Sequence, residues 1–151
     1  MLGRYELLSL SISSMYHDIQ KIERVEMDKF GLKGPHAQCL LALHRHEGGL
    51  TAVELCDICD KDKAAISRTI GELEQAGLVT RGDAQAKRYR ACLKLTEQGR
   101  QIAEGVDALV YRAVKQATTG YDVQQREVFI SVLSLISDSL QTICRDGLKS
   151  E

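Results

Sequence analysis

Apolar positions recur along this chain at alternating steps of three and four. Near the start they are Tyr5, Leu8, Ile12, Met15, Ile19 and Ile22, the period of one stripe on a long helix. Gly31 and Gly34 end that segment. Ile102, Val106, Leu109 and Ala113 begin a similar stripe, and Phe129, Leu133, Ile136, Leu140 and Ile143 repeat it near the C-terminus. Thr119 and Gly120 break the two, and Asp122 followed three residues later by Gln125 is a capping-box-like helix start. Seams close to 3.5 residues must be buried, either in an intramolecular bundle or against a second copy. Terminal helices with such seams suit an isologous dimer. The expected dimerisation residues are Leu8, Ile12, Met15 and Ile19 of the first helix and Phe129, Leu133, Ile136, Leu140 and Ile143 of the last.

The centre reads differently. Gly34 and Pro35 open a helix carrying Cys39, Leu40 and Leu43, with proline in the first turn where its missing N–H costs nothing, and Gly48 and Gly49 stop it. Thr51 is then an N-cap, Glu54 completes a capping box, and Leu50 can staple onto Leu55. The short helix that follows gives out in Asp60, Lys61 and Asp62, a polar turn of three residues. A second helix begins at once, with Ile66, Ile70 and Leu73 on its buried face, Gly77 at a left-handed C-cap and Leu78 placed to pack back on Leu73. Two helices joined by a short polar turn match a helix-turn-helix. Lys63, Ala64, Ser67, Arg68 and Thr69 lie on or beside its leading face; they are small or donor-bearing, as a helix entering a major groove requires.

After Leu78 comes a candidate hairpin: Val79 to Arg81, a loop from Gly82 to Lys87, and a return strand from Arg88 to Leu95. Tyr89, Ala91, Leu93 and Leu95 alternate with Arg88, Arg90, Cys92 and Lys94, so the strand is half buried with a basic exposed side. Lys87, Arg88 and Arg90 at the loop end are placed to meet phosphates or a minor groove.

Composition supports a helical, folded chain. Its 151 residues suit a single domain of ordinary size, 44% of them are hydrophobic, and one proline, no tryptophan and 5% aromatics argue against a many-stranded sandwich. No uninterrupted apolar run approaches the roughly 20 residues of a membrane span, and the first residues lack the charge-then-apolar order of a signal peptide, so the expected location is the cytoplasm, with no membrane partner. Net charge is −1, yet from Lys61 to Lys94 eight positive side chains face four negative ones. Positive potential is thus concentrated in one third of the chain, as when only that part meets a polyanion.

Five cysteines cannot form a complete disulfide framework, and reduced thiols are expected. Cys56 and Cys59 make a C-x-x-C, but both fall on the short helix and no second ligand pair follows; they read as core residues, as do Cys39, Cys92 and Cys144. His36, His44 and His46 share one helix, and His36 with Glu23 or Glu26 is the best metal arrangement available. Solvated or core-capping histidines are the simpler reading. No catalytic residue, cofactor or metal is therefore expected. A thiol oxidoreductase built on Cys56 and Cys59 lacks the strand-to-helix setting such chemistry needs.

Four motifs stand in order: Leu50-Thr51-x-x-Glu54-Leu55, Asp62-Lys63-x-x-Ile66-Ser67-Arg68, Leu73-Glu74-x-x-Gly77-Leu78-Val79-x-Arg81, and Leu93-x-Leu95-Thr96-x-x-Gly99. Together they resemble the multiple-antibiotic-resistance regulator (MarR) family of winged-helix transcription regulators. The resemblance implies a mainly α fold with a small β-hairpin wing, in one compact chain: an N-terminal dimerisation helix (1–32), a winged helix-turn-helix (33–96) and C-terminal dimerisation helices (97–151). It also implies a homodimer on a double-stranded, near-palindromic operator, a repressor released by a small-molecule effector, with Ser67 and Arg68 on the recognition helix and the Arg88 to Arg90 stretch on the wing. One departure is visible. The family wing carries Asp-x-Arg, and counting back from Thr96 places Lys87 and Tyr89 there. The alternatives are a regulator that responds through Cys56 and Cys59 or the histidines, and a winged helix that binds protein rather than DNA.

Overall fold

The computed structural model describes residues 2–82 and 91–148. In chain order these form α1 (Leu2–Asp28), α2 (Gly34–Arg45), α3 (Ala52–Cys59), α4 (Lys63–Gln75), β1 (Val79–Arg81), β2 (Leu93–Leu95), α5 (Glu97–Ala117) and α6 (Val123–Asp146). The fold is thus mainly helical with one small antiparallel sheet. Two compact units result, residues 1–111 and 112–151.

The first unit is built around α2. Seven of its twelve residues are buried, His36, Ala37, Cys39, Leu40, Leu41, Ala42 and Leu43, so this helix is enclosed nearly all round, as the central helix of a core must be. Around it sit Met27 and Leu32 from α1 and the turn after it, Leu55 of α3, Ile66, Ile70 and Leu73 of α4, and Ile102, Ala103 and Val106 of α5. Among the described residues of α1, Met27 alone is fully buried. The end of the first helix therefore shares a core with the helix-turn-helix.

The helix boundaries follow local chemistry. Thr51 Oγ1 accepts the Glu54 N–H, and Glu54 Oε2 accepts both the Thr51 N–H at 2.7 Å and its hydroxyl at 2.8 Å, the reciprocal capping box expected at this position. Asp60 adopts the left-handed region (φ 49°, ψ 52°), which a short polar side chain tolerates. Asp62 then caps α4 by accepting the Ala65 N–H at 2.8 Å. At the other end of α4, Gly77 has φ +71°; its N–H reaches the Glu74 carbonyl at 3.0 Å and the Leu78 N–H reaches Leu73 at 2.9 Å, a Schellman closure.

In the sheet, Val79 pairs with Leu95, Thr80 with Lys94 and Arg81 with Leu93. Leu50 adds a third edge, exchanging two backbone hydrogen bonds with Leu93. Ala91 and Leu93 are buried and Lys94 is exposed, the alternation expected of this strand, although β2 itself is only three residues long. The part of the predicted return strand from Arg88 to Arg90, with Lys87 before it, lies outside the described residues.

The second unit contains the end of α5 and all of α6. Asp122 and Gln125 form the anticipated capping box, at 2.8 and 3.0 Å. No residue of α6 is buried. Although its apolar residues are interrupted by polar ones, α6 is long enough and, at a mean hydropathy of 1.3, apolar enough to cross a membrane by those criteria alone.

Candidate nucleic-acid interface

The solvent face of α4 carries Lys63, Ala64, Ser67 and Arg68, all exposed, at steps of one, three and one, which is one side of a helix. The opposite side inserts Ile66, Ile70 and Leu73 into the core. Sequence and structure differ at Thr69. It is 8% exposed and its hydroxyl donates to the Ala65 carbonyl at 3.0 Å, so it is removed from the outward set. The reason is helical geometry: Thr69 follows Ile66 by three positions and so shares its inward side, whereas Arg68 is turned outward. Gly71, one turn beyond Ser67, leaves open space where a side chain would project.

This face is held by contacts on both flanks. Arg81 at the root of the hairpin grips Glu74 of α4 in a two-pronged pair, Nε to Oε1 at 2.6 Å and a terminal nitrogen to Oε2 at 3.2 Å. Both side chains are about three-quarters buried, and the planar fork of arginine matches a carboxylate in this way. The motif Glu74…Arg81 is therefore a brace between helix and hairpin. On the other flank, the His36 ring stands between two partners. Its Nδ1 accepts the Lys33 N–H at 2.7 Å, which leaves Nε2 to carry the proton and donate to Glu72 Oε2 at 2.6 Å. His36 thus caps α2 and ties it to α4.

That placement makes His36 the core-capping histidine expected from the sequence. His36 meets Glu72 rather than Glu23 or Glu26. His44 and Arg45 both point to Asp107 of α5, at 3.7 and 3.3 Å, and His46 Nδ1 donates to the Ala42 carbonyl at 2.8 Å. Glu23 has its carboxyl pushed up by burial, against the pull of Arg45. Among the described residues no three histidine, cysteine or acidic side chains converge on a metal position.

Cys39 and Cys59 are buried, as expected of core thiols, and both line one cavity beside α2 and α4. Cys92 donates to the Gly48 carbonyl at 3.1 Å, and Cys144 is exposed.

Below α4, the chain returns through Thr96. Its N–H donates to the Leu78 carbonyl at 3.0 Å, its hydroxyl donates to the Gly77 carbonyl at 2.7 Å, and the same oxygen accepts the Gly99 N–H at 3.1 Å. One side chain therefore starts α5 and fastens it to the C-terminus of α4. This accounts for the Thr-x-x-Gly spacing.

Residues 30–88 match the sequence model of the MarR family, the stretch that contains α2, α3, α4 and β1. Over that stretch the chain is similar to the MarR family. Its fold agrees over nearly its whole length. A MarR transcriptional regulator from Methanosarcina mazei superposes with a TM-score of 0.74 at 22% identity, covering 91% of this chain and 99% of that one. A MarR family regulator from Listeria monocytogenes in complex with a 26-mer DNA gives 0.74 at 19% identity, covering 93% and 95%. Among sequences, the chain is similar to an uncharacterized HTH-type transcriptional regulator of Bacillus subtilis, YdgJ, at 26% identity over 104 residues. That match takes in 69% of this chain and 63% of YdgJ. In this winged-helix fold α4 is the second helix of the helix-turn-helix, and β1 and β2 are the root of the hairpin.

Proposed function

We propose that this chain is a sequence-specific DNA-binding transcription regulator, acting as a homodimer on a near-palindromic operator in the cytoplasm. The observation that carries the reading is the solvent face of α4: Lys63, Ala64, Ser67 and Arg68 form an exposed side of small or donor-bearing groups with no large apolar one, on a helix braced at Glu74 and Glu72. Such a face fits a major groove, where Ser67 and Arg68 supply donors to base edges and Lys63 meets phosphate. The Listeria relative crystallised with DNA supports the same polyanionic partner. Lys87, Arg88 and Arg90 of the wing complete the proposed contact set.

Dimerisation is supported by what the single chain leaves uncovered. Leu8, Met15, Phe129, Leu140 and Ile143 are between 38% and 53% exposed, and Ile12, Ile19, Leu133 and Ile136 are half-buried. Apolar stripes of this extent on two helices mark an interaction surface. A bilayer accounts less well for α6, since Asp138 lies near the middle of the helix, where a carboxylate costs about 2.5–3.5 kcal/mol. Two recognition helices carried by one dimer reach half-sites about 34–36 Å apart. The protein acts as a repressor, and a small-molecule effector that alters that separation releases it.

The test is binding of the purified chain to its own promoter DNA and to unrelated DNA of equal length, at several salt concentrations. Preference for the promoter, a steep loss with salt and its abolition by Arg68→Glu with unchanged circular dichroism are expected. Equal binding to both DNAs, or an Arg68→Glu variant that binds as wild type, overturns the reading.

A further inference from the structure

Arg68 and Glu72 stand four positions apart on α4, the spacing at which two side chains on a helix meet. An arginine and a carboxylate so placed are natural partners, and a guanidinium bound to its own helix is lost to a base edge or phosphate. Here the two do not pair. Among the described residues no acceptor holds Arg68, which is exposed. The Glu72 carboxylate is turned instead to α2, where its Oε2 accepts the His36 Nε2–H at 2.6 Å. His36, Arg68 and Glu72 all line one cavity of about 200 Å³ between α2, the α3–α4 turn and α4, so the carboxylate and its two rival partners border the same small space.

The setting of His36 decides which partner prevails. The ring is buried and is pinned from behind, because its Nδ1 accepts the Lys33 N–H at 2.7 Å. That bond fixes the tautomer and aims the Nε2–H at Glu72. Glu72 keeps more than half of its side chain in solvent, so His36 is the fixed member of the pair and Glu72 the movable one. A carboxylate released by the ring is free to turn back onto Arg68.

We propose that His36 is a positioning residue for DNA reading: by holding the Glu72 carboxylate on the α2 side, it leaves the Arg68 guanidinium available to the duplex. The inference rests on α4 entering DNA, as proposed above, and gives His36 a role that its cap on α2 does not require. Without the hold, the charge of Glu72 acts twice against binding, once by engaging Arg68 and once by repelling phosphates.

Side-chain length separates the two duties of His36. In His36→Asn the amide oxygen takes the place of Nδ1 and accepts the Lys33 N–H, but the side chain stops short of Glu72. In His36→Gln the amide nitrogen reaches the position of Nε2 and keeps the donor to Glu72. Affinity for promoter DNA is measured by fluorescence anisotropy for the wild type, these two variants, Glu72→Gln, and His36→Asn combined with Glu72→Gln. A roughly tenfold rise in Kd is expected for His36→Asn, the scale of one lost arginine contact. His36→Gln and Glu72→Gln bind as wild type, and the double variant regains wild-type affinity because a neutral amide does not capture Arg68. A merely structural tie between α2 and α4 would stay broken in the double variant, so its recovery is the deciding result. If His36→Asn does not fold, Glu72→Asp against Glu72→Asn gives the same comparison from the other side: a carboxylate one methylene shorter leaves His36 yet stays within reach of the long Arg68 side chain, so the first variant weakens binding and the second does not.

A second measurement needs no DNA. In the isotope-labelled chain, the Arg68 Nε–H resonance is expected to move on Glu72→Gln in the His36→Asn background, and to move far less on the same change in the wild-type background. An unaltered Kd in His36→Asn, a double variant as weak as His36→Asn, or equal resonance shifts in the two backgrounds overturns the proposal. Failure of the wild type to prefer its promoter, with the resonance shifts as expected, overturns the DNA reading of α4 and supports the hold of His36 on Glu72.

Discussion

The α-carbon of Gly99 lies against the carbonyl of Leu78 so closely that an added β-carbon would sit 2.1 Å from that oxygen. The atom in the way is backbone, already bonded to the Thr96 N–H, and it cannot step aside. Gly99→Ala is expected to cost about 1–3 kcal/mol as an overpacking change, read as a lower midpoint in thermal or urea unfolding. An unchanged midpoint would mean that α5 meets α4 less tightly than described.

Gly71 presents the opposite case. A β-carbon there meets nothing within 4 Å, yet glycine within a helix is less favourable than alanine by roughly 0.5–1 kcal/mol. Gly71→Ala therefore raises the unfolding midpoint. Since the methyl group stands one turn beyond Ser67 on the α4 face proposed to enter DNA, operator affinity falls in the same variant, measured by fluorescence anisotropy.

The Glu74–Arg81 pair predicts coupling between helix and hairpin. Its bidentate geometry and partial burial place it at the upper end of what an ion pair contributes. In a double-mutant cycle with Glu74→Gln and Arg81→Gln, a coupling energy of about 1 kcal/mol is expected. Additive effects would show that the brace carries no energy.

Acid should loosen the start of α3. The Glu54 carboxyl is held below the ordinary carboxylate range because it accepts the Thr51 N–H, then its hydroxyl. With the folded value below the unfolded one, the contribution is complete above about pH 4.5 and is lost as pH falls through the lower folded value. Glu54→Gln should flatten stability against pH in that acid range, and the variant and wild type should converge there. The Thr51→Ala variant should lose about 1 kcal/mol at neutral pH.

The uncovered stripes predict an assembly that charge can break. Leu8→Glu combined with Phe129→Glu places carboxylates in both seams, and light scattering at micromolar concentration should then report a monomer where wild type gives a dimer. Such a monomer should also lose most of its operator affinity, because one recognition helix contacts only one half-site.

Much of this architecture was legible in the residues because its signals are local. Thr51 with Glu54, Asp62, Gly77 with Leu78, and Asp122 with Gln125 each satisfy backbone groups within a few positions, so spacing alone locates the ends of α3, α4 and α6. What escaped was non-local. The burial of α2 all round hides behind an ordinary stripe of Cys39, Leu40 and Leu43, since Ala37, Leu41 and Ala42 acquire neighbours only when the other helices pack. Thr69 read as outward because hydroxyls suit DNA, whereas its hydroxyl serves the Ala65 carbonyl. His36 could not be matched to Glu72, because that pair forms across elements that no periodicity connects.

The three hydrogen bonds at Thr96 leave no slack between the winged helix and the helix that departs from it. Only Thr96 separates β2 from α5, and its own atoms are fastened to Gly77, Leu78 and Gly99. A torque applied along the early turns of α5 is therefore conveyed to α4 as rotation rather than absorbed by a bending linker, which makes this threonine the axle of the reading head.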